Sequence, residues 1–284
     1  MSMKLGVFPV MTPDLTPEEF VATCKEVGIQ GIDWRYKDVP PEMLNEEPEY
    51  HRNNHCFIPQ HKDESCWKYY KDLTEKNGMV TSALMNYARC PDVENTEEAM
   101  AVAKYLGSKH VRISPLPKDH GLTYQQLHEL FSKHIKNCAE LCKKYGVKGL
   151  VETHHGSIPA SVSCAMDLVR PYDPDVIGIL FDPGNMVREG YEDYKFCIEM
   201  MGPYLAHVHV KNVAWQKVGV RENGGYIWES DWALLEQGMA NWEKIVSLLK
   251  LAHYDGFLSL EDFGAGRSSK DKIQFFKKYI GDML

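Results

Sequence analysis

The sequence predicts a closed (β/α)8 barrel that takes up residues 1–284 as a single domain. Three observations carry this expectation. Eight short apolar runs fall near residues 4–9, 31–35, 79–85, 109–114, 148–152, 176–182, 205–210 and 257–261. Helical patterns separate almost all of them, which implies parallel strands joined by right-handed crossovers. The length of 284 residues suits a barrel of this kind, since ~250 residues routinely form one such domain.

Each unit has its own start and stop signals. After the first run, Thr16-Pro17-Glu18-Glu19 combines an N-cap, a proline at the first helical position and a capping-box glutamate. Asn95…Glu98 and Thr123…Gln126 repeat the box ahead of two later helices. The helices stop in a recurring phrase: CKEVGIQGIDW, AKYLGSKHVRI, CKKYGVKGLVE and LAHYDGFLSLE. Gly28, Gly107, Gly146 and Gly256 stand there where a helix end needs a positive φ or a tight turn. The sixth run ends VIGILFDPGNM, in which Asp182-Pro183-Gly184-Asn185 reads as turn chemistry. No GxGxxG or Walker-type loop follows any run, which weakens a doubly wound nucleotide-binding sheet. Two connections are long, residues 36–64 and 212–240, and the second carries Trp215, Tyr226, Trp228 and Trp232. Long connections in a compact domain read as lids or interfaces. The aromatic segment is compatible with a homodimer or homotetramer.

Composition narrows the function. A net charge of −8 disfavours general binding to phosphate backbones, so no nucleic-acid partner is expected. No stretch approaches the ~18 apolar residues of a membrane span, and the N-terminus lacks the pattern of a secretory signal. The eight cysteines contain no CxxC pair, and Cys138 and Cys142 read as packing residues one helical turn apart. A soluble, cytoplasmic protein is the expectation. His51, His55, Cys56, His61 and Cys66 fit no tight zinc spacing and read as part of a lid-like loop.

Chemistry is expected where the strands end. Run five ends in Glu152, run six in Asp182, run seven in His207 and His209, and run eight in Glu261. Singly, each has a plain structural explanation, such as a turn cap for Asp182. Together, three carboxylates at one end of a barrel would repel each other unless a cation sits among them. An oxygen-rich set with one imidazole favours Mn²⁺ or Mg²⁺, with Co²⁺ and Zn²⁺ as alternatives. Alternation along a strand places His154 beside Glu152, and His207 and Lys211 beside His209. His154 reads either as a base for β-elimination or as a group orienting Glu152. Lys211, Arg35 and Arg112 read either as substrate or phosphate contacts or as partners of nearby carboxylates.

VETHHG, FDPGN, HVHVKN and YDGFLSLED, with GMANW ahead of the last helix, resemble the xylose-isomerase-like TIM barrels. That superfamily includes sugar isomerases, ketose 3-epimerases, inosose dehydratases and isomerases, hydroxypyruvate isomerases and type IV AP endonucleases. The likeness covers nearly the whole chain and is strongest over residues 147–262. It implies that Glu152, Asp182, His209 and Glu261 ligate a divalent metal, with Mn²⁺ favoured. His209 rather than His207 is implied because it directly precedes Val210-Lys211-Asn212. Asn185 stands where epimerase relatives often carry a substrate-contacting histidine. Asparagine can still donate a hydrogen bond to a sugar hydroxyl but cannot shuttle protons. Asn185 and His207 are expected to contact the substrate. The resemblance implies a metal-dependent isomerase or epimerase acting on a sugar, ketose or polyol-derived keto substrate. Glu152 and Glu261 would then move a proton through a metal-stabilised enediolate. The alternative is a lyase or dehydratase of a keto-sugar or inosose that uses His154 as base. DNA repair in the AP-endonuclease manner is disfavoured by charge and by the missing Asp-x-His pair after run seven.

Overall fold

The computed structural model describes residues 3–119 and 121–284. Eight parallel strands close into a barrel in sequential order. They are β1 (Lys4–Val7), β2 (Gly31–Tyr36), β3 (Val80–Asn86), β4 (His110–Ile113), β5 (Lys148–Glu152), β6 (Ile177–Phe181), β7 (Leu205–Val210) and β8 (Phe257–Leu260). Closure is made by β1 against β8, with Lys4 opposite Phe257 and Val7 opposite Leu260. The surrounding helices are α1 (Pro17–Val27), α2 (Glu64–Glu75), α3 (Val93–Leu106), α4 (Tyr124–Tyr145), α5 (Val162–Val169), α6 (Pro183–Arg188), α7 (Tyr194–Met201), α8 (Trp242–Leu251) and α9 (Ser269–Gly281). All eight strands fall where the apolar runs place them.

The helix signals explain most boundaries. Thr16 and Thr123 each form a complete capping box, with Glu19 and Gln126. Gly28, Gly107 and Gly146 end their helices with φ of 78°, 75° and 69°, a region open to glycine without steric penalty. Two readings need correction. The cap of α3 is Asp92, whose carboxylate accepts from Asn95 N, so no box forms between Asn95 and Glu98. Glu98 instead bonds His61 of the segment before α2. At the end of α8 the positive φ belongs to His253, at 55°, and not to Gly256.

Strand β2 shows how the layers divide. Trp34 points outward and packs edge-on against Phe20 of α1 and Tyr70 of α2. Its buried indole N–H donates to Thr74 Oγ1 at 2.9 Å. Its neighbours Asp33 and Arg35 take the opposite face, and both are fully buried. Such barrels usually fill their interior with branched apolar residues. This one adds Asp33, Ser82, His207, His209 and Ser259, all buried.

The two long connections differ in kind. Residues 37–63 run over the barrel, anchored by a bridge between Tyr36 and Ile58. Residues 212–233 are not an irregular loop but an antiparallel ribbon, Asn212–Val220 against Tyr226–Ala233. A short pairing of Leu116–Pro117 with Ser157–Ile158 ties the segments after β4 and β5 together.

Replacing Thr74 with Val should leave the Trp34 indole without an acceptor and lower stability by ~1–3 kcal/mol, read as an earlier urea midpoint with unchanged far-UV circular dichroism. A second expectation concerns His110, 6.0 Å from His207. Burial, reinforced by His207 and Lys148, pushes its imidazole down to about 3. The unfolded chain takes up a proton there below about pH 6.5, whereas the folded chain does so only near its lowered value. Stability therefore falls as the pH drops through that window. His110→Asn should lose less urea stability than the unsubstituted protein between about pH 7 and about pH 5.

Candidate metal centre

Four side chains from the ends of β5 to β8 meet at the barrel mouth. Ligand atoms of Glu152, Asp182, His209 and Glu261 lie within 4.8 Å of one another, and all four residues are buried. His209 Nδ1 is 3.2 Å from Glu261 Oε2, 3.7 Å from Glu152 Oε1 and 3.8 Å from Asp182 Oδ2. Neither nitrogen of His209 makes a hydrogen bond among the described residues. Phe8 stacks on its ring at 5.5 Å, which fixes the plane of the imidazole.

Asp182 divides its two oxygens between two tasks. It is the N-cap of α6, with Pro183 at the first helical position and Oδ1 accepting from Asn185 N at 2.9 Å. FDPGN is thus a helix start, not a free turn. Its second oxygen, Oδ2, has no hydrogen bond and faces the cluster. Gly184 is needed for clearance: a Cβ there would lie 2.5 Å from Lys211 Cγ and 2.9 Å from the Lys211 carbonyl oxygen.

Charge is only partly balanced. Lys211 Nζ lies 2.9 Å from Asp182 Oδ2, outside hydrogen-bonding geometry, and donates to Glu261. Arg112 Nη1 pairs with Glu152 Oε2 at 3.0 Å. Three carboxylates against these two cations leave a net negative charge before the imidazole is counted. Burial pushes the Asp182 carboxyl up to about 7; Lys211 opposes this, and Glu261 and Glu152 add to it. Burial also works against Glu152 and Glu261, yet Arg112 holds the first well below the carboxylate range, and Lys211 with His209 holds the second down. Against burial, the carboxylates also hold the His209 imidazole well above its usual range. A buried set of carboxylate oxygens around an imidazole without a hydrogen bond among the described residues is a donor set that fits a divalent cation.

The other residues singled out from the sequence fall into distinct places. Asn185 is buried beneath the cluster, donating to Glu152 Oε1 and the Thr153 carbonyl and accepting from His155. His154 lines a cavity of about 200 Å³ with His51, Tyr87, Arg112, His155 and Glu261. Lys211 is at the cluster itself rather than the rim. His207 lies away from that cavity, fully buried, with Nε2 2.7 Å from Asp33 Oδ2. Arg35 is buried and its guanidinium makes no hydrogen bond among the described residues. His51, His55, Cys56, His61 and Cys66 form no donor cluster among the described residues.

One participant was not named from the sequence, and another only as one of four aromatics in a long connection. Asp33 Oδ2 stands 3.4 Å from His209 Nε2 and its Oδ1 accepts from Ser82 Oγ at 2.6 Å. It therefore faces the side of the imidazole opposite the carboxylates. An acidic residue two positions before Arg35 in a buried strand was the available signal. Trp232, on the ribbon, stacks over Arg188 at 4.1 Å and lies 5.0 Å from Phe263 and 5.4 Å from Lys211. Among the ribbon aromatics, nothing in the sequence distinguished it from the exposed Trp215, Tyr226 and Trp228.

An eight-stranded parallel barrel with a buried carboxylate–imidazole cluster at the strand ends defines a class of barrel with a candidate metal centre. Within that class, the chain belongs to the xylose isomerase-like TIM barrel family, whose model matches residues 21–279. It is 24% identical over 241 residues to an inosose dehydratase of Mesomycoplasma hyopneumoniae, covering 76% of this chain and 72% of that protein. Its fold matches a D-psicose 3-epimerase from Clostridium cellulolyticum H10, with a TM-score of 0.71 at 13% identity over 99% of both chains. It also matches the IolI protein, solved with a bound zinc atom, with a TM-score of 0.72 at 17% identity over 99% of this chain and 98% of that one. The two structural likenesses establish the fold.

If Asp33 orients His209, Asp33→Asn should weaken Mn²⁺ binding by ~10–100-fold in calorimetric titration while leaving the circular dichroism intact. An unchanged affinity would show that the imidazole is held by its packing alone.

Proposed function

We propose that the protein is a divalent-cation-dependent enzyme that transfers a proton next to a carbonyl of a carbohydrate. The leading reading is an isomerase or epimerase of a sugar, ketose or polyol-derived keto substrate. The cluster of Glu152, Asp182, His209 and Glu261 beside a cavity that Glu261 itself lines carries this reading. These four would hold the cation, and their oxygen-rich character favours Mn²⁺ over Mg²⁺, Co²⁺ or Zn²⁺. Such an ion supplies Lewis-acid polarisation of a carbonyl and stabilises negative charge on its oxygen.

The remaining work falls to the chain's own groups. Arg112 keeps Glu152 ionised despite burial, and Lys211 and His209 do the same for Glu261. Both carboxylates are thus held as anions, the form that can take a proton from carbon and return it. Asn185 holds Glu152 in place through Nδ2. Lys211 would donate to the substrate oxygen that gains charge, and Trp232 and Phe263 beside it would exclude water.

A second reading, a lyase or dehydratase of a keto-sugar or inosose, rests on His154. Its Nδ1 contacts the His155 carbonyl at 2.7 Å. A carbonyl only accepts, so Nδ1 carries the proton and Nε2 keeps its lone pair for a base's role. The inosose dehydratase relative supports the same reading. For either reaction, the exposed Trp215, Tyr226 and Trp228 on the ribbon support a homodimer or homotetramer, and eight unpaired thiols fit the cytoplasm.

The test is a screen of ketoses, inososes and keto-glycosides with Mn²⁺, read by mass spectrometry. An isomerase or epimerase conserves mass and exchanges solvent deuterium into product; a dehydratase product is lighter by one water. On the substrate found, Glu152→Gln should lower kcat by ~10² or more, and full turnover by that variant would remove Glu152 from the proton path. His154→Asn should abolish elimination but spare isomerisation. Absence of stoichiometric divalent-cation binding would overturn the proposal as a whole.

A further inference from the structure

The barrel mouth is electrically divided. The carboxylates of the cluster come from β5, β6 and β8, whereas the ends of β2, β3 and β4 carry hydrogen-bond donors that no acceptor among the described residues uses. Arg35 is fully buried, and Nε and both Nη atoms lack partners. Asn86 Nδ2 and Arg112 Nε are buried and unpartnered as well. Arg112 uses its other nitrogens on Glu152 and on the Asn86 carbonyl, which holds this donor set against the cluster.

Tyr87 is the common neighbour. The guanidinium carbons of Arg35 and Arg112 lie 5.5 and 4.5 Å from its ring centroid, and Lys37 Nζ lies at 5.2 Å. The same tyrosine walls the cavity that His154 and Glu261 line. Burial and the charges of Arg35, Arg89 and Arg112 push the Lys37 amine down, with Glu49 opposing them only in part. The ring face offsets part of the charge but leaves the in-plane N–H donors of Arg35 unsatisfied. A buried guanidinium without a counter-ion is costly to the free protein, and its planar fork matches a carboxylate or phosphate.

We propose that this β2–β4 side of the mouth binds an anionic group of the substrate, a carboxylate or a phosphate, through Arg35, Lys37 and the Asn86 amide. The proposal rests on the enzyme reading above and adds to it that the carbohydrate is acidic. The neutral end of the substrate then faces the carboxylate cluster. The charged end is held across Tyr87 by Arg35 and Asn86 donors that have no acceptor among the described residues, with Lys37 beside them. The hydroxyls of a neutral sugar could accept from those donors but would leave their positive charge unbalanced.

The test titrates the full-length protein with glucose 6-phosphate, gluconate and glucose, in chelator so that the result is independent of any cation. At least one anionic probe should bind about tenfold or more tightly than glucose. A preference for glucose 6-phosphate assigns a phosphate, and one for gluconate a carboxylate. Arg35→Met should abolish the preference while Mn²⁺ affinity, titrated separately, stays within about twofold. Because it removes an unpaired buried charge, the variant should fold at least as stably. Lys37→Met, at a half-buried position, should reduce the preference without disturbing the core. Equal binding of all three probes would overturn the proposal. So would an Arg35→Met protein that keeps the preference or is strongly destabilised, since the arginine would then be structural. Loss of Mn²⁺ binding by the unsubstituted protein would instead strike the enzyme reading and leave the anion preference standing.

Discussion

Three carboxylates brought within a few ångströms of each other, out of water, are the constraint to which the rest of the barrel mouth answers. An isolated buried carboxylate costs several kcal/mol even after relaxation, and Glu152, Asp182 and Glu261 also repel one another. The protein surrounds them with Arg112, Lys211 and His209. Those partners are in turn held: Arg112 by the Asn86 carbonyl, and the His209 ring by Phe8 on one side and Asp33 on the other. Each layer exists because the one inside it carries a charge or a donor that needs an orientation.

Much of this was legible in the sequence. The strand positions followed from apolar runs and helix stops, because those signals are local: Gly28 and Gly146 need no distant partner to end a helix. The convergence of Glu152, Asp182, Glu261 and a histidine of strand seven was legible because barrel closure maps four separate strand ends onto one place. The family resemblance singled out His209 over His207. Asp33 escaped because its role depends on which atom of His209 it faces, a relation between β2 and β7 that spacing does not encode. The box proposed at Asn95 failed for a related reason. Asp92 competes for the same helix start, and Glu98 is drawn to His61 across a long connection.

The residues after strand seven illustrate how context decides between readings that a sequence leaves open. Lys211 could have sat at the rim; the close approach of Gly184 to its backbone, with the Trp242 indole donating to its carbonyl, holds the ammonium inside instead. The following residues could have formed a loose lid. They form a ribbon whose Asn212 side chain is tied to Leu235 and Ala240, so that Trp232 is presented to the site from a braced support.

Asp182 shows what such bracing means for ligand capture. A free aspartate must give up rotation about its side-chain bonds when it coordinates an ion, and that loss weakens binding. Here the rotation is already lost when Oδ1 closes onto the start of α6. The entropy of ordering this carboxylate is charged to folding, at the moment the helix forms. The affinity of the mouth for a cation is to that extent an inheritance from the fold, set before any ion arrives.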